Sequence, residues 1–375
     1  MRMDDAEKVS HPHHPCPANL RFDKLRGRII LRAMENVVVV GANGYSGEEL
    51  CRILAGHPRA RVVALTSRQW AGKPVGEVLP RMAGHPGLSG LRFTAPGIDD
   101  LFGLDAKYFF LALPHGLAAE YAAPLVEAGR RVVDLSADFR LRSAAHYLEF
   151  YGEAHGAPGL LDEAVFGLPE LHRGRIAQAR LVASAGCYPT SILLALVPLL
   201  KARLLDVTSI AISSASGVSG AGRKADATFL FGECNESLRA YGLPKHRHLS
   251  EIEQELSAAA GSTVRVTFVP HLAPMTRGIH TTIFANPASG FSCGDVSPCL
   301  EEAYADEPFV RFRESLPDTK LVNGTNYCDI AVRADDRTGR VVVLSALDNL
   351  VKGAAGQAVQ NFNVMAGFAE VEGLM

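Results

Sequence analysis

Short β-branched or aromatic runs alternate with amphipathic stretches through the first half of the chain. Val37-Val38-Val39-Val40 has the length and composition of a buried strand. Arg61–Leu65, Lys107–Leu113 and Arg131–Leu135 repeat that pattern, with helical stretches over 48–55 and 117–128 between them. Strands that alternate with helices predict a parallel, doubly wound, Rossmann-type sheet. The interval Trp70–Gly103 is rich in Gly and Pro and reads as loop.

The pattern changes after residue 183. A long apolar run, Ile192–Leu200, follows Cys187. Strands are expected at 207–214, 265–269, 279–284, 330–333 and 340–346, with an amphipathic helix over 250–259 carrying Glu251 in its first turn. This is an α+β unit with a mostly antiparallel sheet. A last helix, Asp348–Ala366, has small residues on one face and is expected to pack back on the first unit. The division is therefore an extension (1–33), a dinucleotide-binding Rossmann domain (34–183), a catalytic α+β domain (184–345) and a C-terminal helix (346–375). The extension contains His11-Pro12-His13-His14-Pro15-Cys16-Pro17, too proline-broken for a helix or central strand. It reads as a disordered tail, with Met34 as the expected true start.

Composition narrows the function classes. The 375 residues are 47% hydrophobic and carry a net charge of −2, with Lys and Arg scattered. Nothing favours nucleic acid or an anionic membrane, and no apolar run reaches transmembrane length. Seven dispersed cysteines suggest a reduced, cytosolic protein rather than a disulfide framework. No metal site is expected; Cys293 and Cys299 have no histidine between them.

Two places carry candidate chemistry. Gly41-Ala42-Asn43-Gly44-Tyr45-Ser46-Gly47 joins the first strand to its helix. Strand, glycine turn and helix together make a dinucleotide fingerprint, because the turn admits a pyrophosphate to the helix N-terminus. The second strand ends in Thr66-Ser67-Arg68, with no carboxylate for a ribose diol. The Ser67 hydroxyl and Arg68 guanidinium suit a 2′-phosphate, which points to NADP(H). Pro114-His115-Gly116 and Ser136–Arg140 fall at carboxyl ends of later strands, where ligands bind. His115 reads as a loop histidine near the cofactor.

The second place is Ser184-Ala185-Gly186-Cys187-Tyr188-Pro189-Thr190-Ser191. Thr190 and Ser191 are candidate helix caps, which puts Cys187 at or just before a helix N-terminus. That position favours thiolate, the nucleophilic form. His246, in Lys245-His246-Arg247-His248, is the histidine such a thiol needs. Ser216–Lys224 is rich in small residues, ends in two cations and has the composition of a phosphate cradle.

Taken in order, GANGYSGEEL (41–50), LPHG (113–116), LSADFRL (135–141), GCYPT (186–190), GVSGAGRKA (217–225), HRH (246–248), PHLAPMTRG (270–278) and DNLVKGAAGQAVQNFN (348–363) resemble the N-acetyl-γ-glutamyl-phosphate reductases, relatives of the aspartate-semialdehyde dehydrogenases. The likeness runs from about Glu35 to the C-terminus. It departs at Ser184-Ala185, where the family has Asn-Pro, and at Ser250, where proline is common. The resemblance implies NADPH as cofactor, Cys187 as nucleophile and His246 as acid/base. It implies an acyl-phosphate substrate in arginine biosynthesis, and a cofactor site that includes Ser219, Gly220 and Asn349. Arg140, Lys224, Arg247, His248 and Arg277 are the candidates for holding substrate, unranked. A homodimer or homotetramer is implied. Aspartyl phosphate or a carrier-linked aminoadipyl phosphate remains an alternative substrate, and a non-catalytic NADP-binding regulator remains an alternative of another class.

Overall fold

The computed structural model describes residues 34–375, together with the backbone of 20–23 and 28–31. Those two stretches pair as an antiparallel ribbon. The His/Cys segment 11–17 and the rest of the 1–33 extension lie outside the described residues.

The first sheet is built from β1 (Glu35–Val40), β2 (Ala60–Thr66), β3 (Phe93–Thr94), β4 (Tyr108–Leu111), β5 (Arg131–Asp134), β6 (Val165–Gly167) and β7 (Leu181–Ser184). Its order is β3-β2-β1-β4-β5-β7-β6, with every neighbouring pair parallel. A parallel sheet covered on both faces needs strands that are apolar throughout, and Val37–Val40 are fully buried. Side-chain alternation divides them. Val37 and Val39 join the core that includes Leu50 of α1 (Tyr45–Ala55), whereas Val38 and Val40 join Ala118 and Leu125 of α2 (Ala118–Glu127). The chain winds outward through β2 and β3, then returns to β4 on the other side of β1. That reversal opens a crevice at the carboxyl ends of β1 and β4, the binding position of such sheets.

The second sheet contains β8 (Ala211–Ser216), β9 (Arg239–Ala240), β10 (Thr267–Leu272), β11 (Ile279–Ala285), β12 (Val310–Phe312), β13 (Cys328–Asp335) and β14 (Arg340–Leu347). The order is β9-β10-β8-β11-β14-β13-β12. Only β8 with β10 and β12 with β13 are parallel, so the sheet is mixed and mostly antiparallel. Helix α3 (Cys187–Lys201) is apolar all round and buried along nearly its whole length, as a core helix must be. It packs on β11, β14 and α4 (Arg247–Ala260).

Several boundaries differ from expectation. The helix expected from Ser250 starts three residues earlier, because His246 caps it, so Glu251 lies beyond the first turn. The interval 70–103 contains β3 and short helices at Val75–Val78 and Ile98–Phe102. The strand expected over 207–214 runs Ala211–Ser216. The C-terminal helix begins as a π-helical segment, Val351–Ala355, and becomes α-helical as α5 (Gly356–Ala366). α5 packs against α1, β5, β6 and β7. The chain thus returns to the first sheet and carries the π segment past α3 on the way. Among the described residues, no helix is long and apolar enough to cross a membrane.

Candidate active site

The glycine turn after β1 is shaped by contacts and by one forced conformation. Gly41 has φ +84°, and a Cβ there would lie 2.7 Å from the Ala112 carbonyl oxygen. A Cβ on Gly47 would lie 2.8 Å from the Gly41 carbonyl oxygen. Gly44 has nothing within 4 Å, so its bare backbone borders open space. It is the N-cap of α1 and provides no side-chain cap, which leaves the first N–H groups of the helix available to a ligand. Asn43, Gly44, Tyr45, Ser46, Ser67, Arg68 and Pro114 line a cavity of about 560 Å³. The residues fit a dinucleotide phosphate chain: an open helix N-terminus, no carboxylate after β2, and an exposed Arg68 that meets the Tyr121 hydroxyl and lies 3.9 Å from an exposed Glu120. His115 and Gly116 stand outside the lining. The His115 ring meets Arg247 Nη1 at 3.0 Å, and the Gly116 N–H donates to Asp138 at 2.7 Å. Asp138 also accepts from the N–H groups of Ala118 and Ala119, and so fastens the 114–118 loop to the start of α2.

Cys187 reaches the same cavity from the other half of the chain. It is the first residue of α3, and Gly186 is the N-cap. Thr190 and Ser191 are not caps. Their hydroxyls donate to the carbonyls of Gly186 and Tyr188 at 2.9 and 3.0 Å, inside the helix. With Pro189 lacking an N–H, the donors at this helix start are the Cys187 and Tyr188 N–H groups, and both act on the Cys187 sulfur.

Glu251 organises the approach to Cys187. It is fully buried. One carboxylate oxygen accepts the Gly186 N–H at 3.0 Å, and the other pairs with Arg140 Nη1 at 3.1 Å. Arg140 Nη2 donates to the Leu135 carbonyl at 2.9 Å, while its Nε is buried without a partner. A Cβ on Gly186 would fall 2.9 Å from His248 Nε2 and 3.0 Å from Arg140 Nη1. Nucleophile loop, histidine and arginine therefore converge on one point. The π segment closes the site from below: a Cβ on Gly353 would lie 2.7 Å from the Cys187 Cβ.

Electrostatics correct one expectation. Burial pushes the Cys187 thiol up to about 11, although the Arg140 charge and the Tyr188 N–H pull the other way. The helix start does not win, and the resting thiol is neutral. Burial also pulls His246 down to about 4, with Arg247 adding to the effect. His248 is held well below the ordinary range by burial and then by His246, Arg140 and Arg247. Both rings are neutral at pH 7. Iodoacetamide alkylation of Cys187 in the unliganded protein should therefore rise about tenfold per pH unit from 7 to 9, as a group below its pKa does. A plateau below pH 8 would instead mean a resting thiolate.

Of the two histidines, His248 lines the cavity with Cys187, and its Nδ1 is buried without a partner. His246 lies behind it. Its Nδ1 accepts the His248 N–H at 3.1 Å, and its ring is caged by Tyr188, Tyr241 and Phe268. Ser219, Gly220 and Asn349 line the cavity as anticipated. Asn349 donates to Ser219 Oγ at 3.0 Å and accepts the Gly278 N–H at 2.8 Å, so it holds two loops together. Lys224 and Arg277 border a neighbouring cavity instead. Lys224 pairs with Asp226 at 3.0 Å, and Arg277 with Glu49 at 2.8 Å and Asp348 at 3.5 Å. Glu251 and Gly353 were not among the candidates. Their signals were an acid shortly after HRH and the first glycine of DNLVKGAAGQ.

Residues 36–179 match the family model for the semialdehyde dehydrogenase NAD binding domain, and 187–349 that for the semialdehyde dehydrogenase dimerisation domain. The chain is 56% identical over 340 residues to the N-acetyl-gamma-glutamyl-phosphate reductase of Akkermansia muciniphila, covering 90% of this chain and 98% of that protein. It is 50% identical over 343 residues to the protein of the same name from Pseudomonas aeruginosa, covering 91% and 98%. Among solved structures, aspartate semialdehyde dehydrogenase II from Vibrio cholerae has a TM-score of 0.67 at 18% identity, over 89% of this chain and 99% of that one. The aspartate semialdehyde dehydrogenase with NADP from Candida albicans has 0.66 at 16%, over 89% and 99%. At such identities the two structures speak for the fold.

Proposed function

We propose that this chain, which belongs to the N-acetyl-γ-glutamyl-phosphate reductase family, reduces N-acetyl-γ-glutamyl phosphate to N-acetylglutamate semialdehyde and phosphate through a thioester on Cys187, in arginine biosynthesis. The observation that carries the reading is the convergence of Cys187, His248 and Arg140 on one cavity with the glycine turn of α1. In this reading residues 34–183 bind the dinucleotide, 184–345 carry the thiol chemistry, and 346–375 close the cleft. The protein works in the cytosol as a homodimer or homotetramer, a reading supported by the dimerisation-domain match and by the unpaired cysteines of the described residues.

Gly41–Gly47 would hold the dinucleotide at its pyrophosphate, and Ser67 and Arg68 at its 2′-phosphate. When bound, NADPH supplies hydride to the thioester carbon. Ser219, Gly220 and Asn349 bound the same space.

The chain's own residues do the rest. His248 takes the thiol proton as Cys187 Sγ attacks the acyl carbon, so a thiolate forms only when the substrate is in place. The carbonyl oxygen gains charge, and the Cys187 and Tyr188 N–H groups are the donors available to it. The carbon–oxygen bond to phosphate breaks, and His248 hands its proton to the departing phosphate. After reduction the carbon–sulfur bond breaks, and His248, recharged from solvent, returns a proton to the thiolate. Arg140 ranks first for the substrate carboxylate, because its buried Nε has no protein partner. Arg277 ranks last, being paired with two carboxylates. His246 supports His248 from behind: its ring accepts the His248 N–H, and its neutral state keeps a second charge out of the pocket.

Two experiments test this reading. Acid quenching of substrate with enzyme, in the absence of NADPH, should add the N-acetylglutamyl mass to the peptide bearing Cys187. An unmodified peptide at full phosphate release would exclude the thioester. His248→Asn should lower kcat by about a hundredfold or more, the usual contribution of a general acid–base. His246→Asn should cost less and leave the pH profile's shape intact. The reverse ranking would return the proton transfers to His246.

A further inference from the structure

The first turn of α1, which opens at the cradle for the cofactor pyrophosphate, carries one carboxylate, Glu48, and Glu49 follows it at the start of the second turn. Acids there stabilise the helix but repel an anionic ligand at the same end. Each is met by an arginine from the other half of the chain. Glu49 is nearly fully buried and shared between Arg52 and Arg277, so it is doubly neutralised. Glu48 is different. It pairs with Arg223 across 175 residues of sequence, and the Arg223 guanidinium lies 5.0 Å from the centre of the Tyr45 ring.

Arg223 is also placed at a border. With Tyr45, Ser219 and Gly222 it lines both the 560 Å³ cofactor cavity and the neighbouring cavity of about 770 Å³. It follows Gly222, which ends the 218–221 turn at φ +72°. Its side chain is 42% exposed, and that of Glu48 is 12% exposed. A half-exposed guanidinium can change partners at little cost, since such pairs are weak. A phosphate is the stronger partner for it.

We propose that Glu48 is a built-in competitor for the cofactor: it competes with the dinucleotide phosphates for Arg223 and adds its own repulsion, so that it sets cofactor affinity downward and speeds release. Arg223 is the phosphate-binding residue of this pair, shared between Glu48 and the pyrophosphate when the cleft is filled. This inference rests on the cofactor reading above and deepens it by naming the residue that opposes binding.

The test is equilibrium binding of NADPH, followed by its fluorescence, to wild type, Glu48→Gln, Arg223→Gln and the double variant, with thermal melts to check folding. Glu48→Gln should tighten NADPH about five- to tenfold, the scale of a charge at a helix N-terminus, and the gain should shrink at high salt. Arg223→Gln should weaken binding by a similar factor, with the double variant between the two. The affinity for 2′-AMP, which reaches Arg68 but carries no pyrophosphate, should stay the same in all four. If Glu48→Gln weakens NADPH or leaves it unchanged, the pair is only a clamp between the two halves and the inference is overturned. If the 2′-AMP affinity moves in step with that of NADPH, the effect is not at the pyrophosphate and the inference fails too. Failure of wild type to bind either ligand would instead strike the cofactor reading itself.

Discussion

Cys187→Ser should lose at least about four orders of magnitude in kcat, the scale seen when a covalent nucleophile is removed, with NADPH affinity near that of wild type. The reason lies in both halves of the reaction. A serine hydroxyl is far harder to deprotonate than a thiol, and the histidine partner here is a weak base. Burial and neighbouring charges hold His248 well below the ordinary imidazole range. The reverse step suffers as well, because an alkoxide is a poor leaving group where a thiolate is a good one. The cofactor loop is untouched: the Gly41 turn belongs to the other sheet and is fixed by Thr66 and Ala112, not by Cys187. NADPH fluorescence titration and steady-state rates separate the two effects. Turnover within tenfold of wild type would end the covalent scheme.

Gly353→Ala should be the second most damaging single change, although it removes no functional group. The new Cβ would stand 2.7 Å from the Cys187 Cβ, 3.2 Å from its Cα and 3.3 Å from a Leu347 methyl. Cys187 is the first residue of a buried helix, and Gly353 and Leu347 are themselves fully or almost fully buried. None of these can swing aside, so α3 or the π segment must move. Overpacking of this kind costs about 1–3 kcal/mol of stability. The larger effect is on geometry, since about an ångström of misplacement at a reacting atom can cost a hundredfold. We expect kcat/KM to fall by roughly that factor while the protein remains folded. A thermal melt beside a rate assay decides it. Wild-type turnover in a folded Gly353→Ala protein would show that the π segment does not set the nucleophile.

Much of the frame was legible because it obeys local rules. Val37–Val40 reads as a strand because both faces of the first sheet are covered, and its glycine turn reads correctly because the spacing matches what the contacts require at Gly41 and Gly47. The position of Cys187 at a helix start was legible from Gly186 and the apolar run after it. Its charge state was not. The helix-terminus argument is local, whereas the desolvation that pushes the thiol up comes from α4, the π segment and the first sheet closing around it. Which of His246 and His248 faces the cavity was hidden for a similar reason. His246 turns back to cap α4, which leaves the residue two positions on to face the cavity. Arg277 looked free in sequence because its partner, Glu49, lies 228 residues away. Strands β3, β6 and β12 are two or three residues long, below the length at which a periodic pattern can be read.

The most direct test of the central claim is the reverse reaction. NADPH absorbance would be followed on mixing the protein with NADP⁺, inorganic phosphate and N-acetylglutamate semialdehyde, with aspartate semialdehyde in parallel. The account predicts NADPH formation with the acetylated aldehyde that vanishes when phosphate is omitted, and little with aspartate semialdehyde. Phosphate-dependent signal with aspartate semialdehyde alone, or silence with both from a protein that binds NADPH, would contradict it.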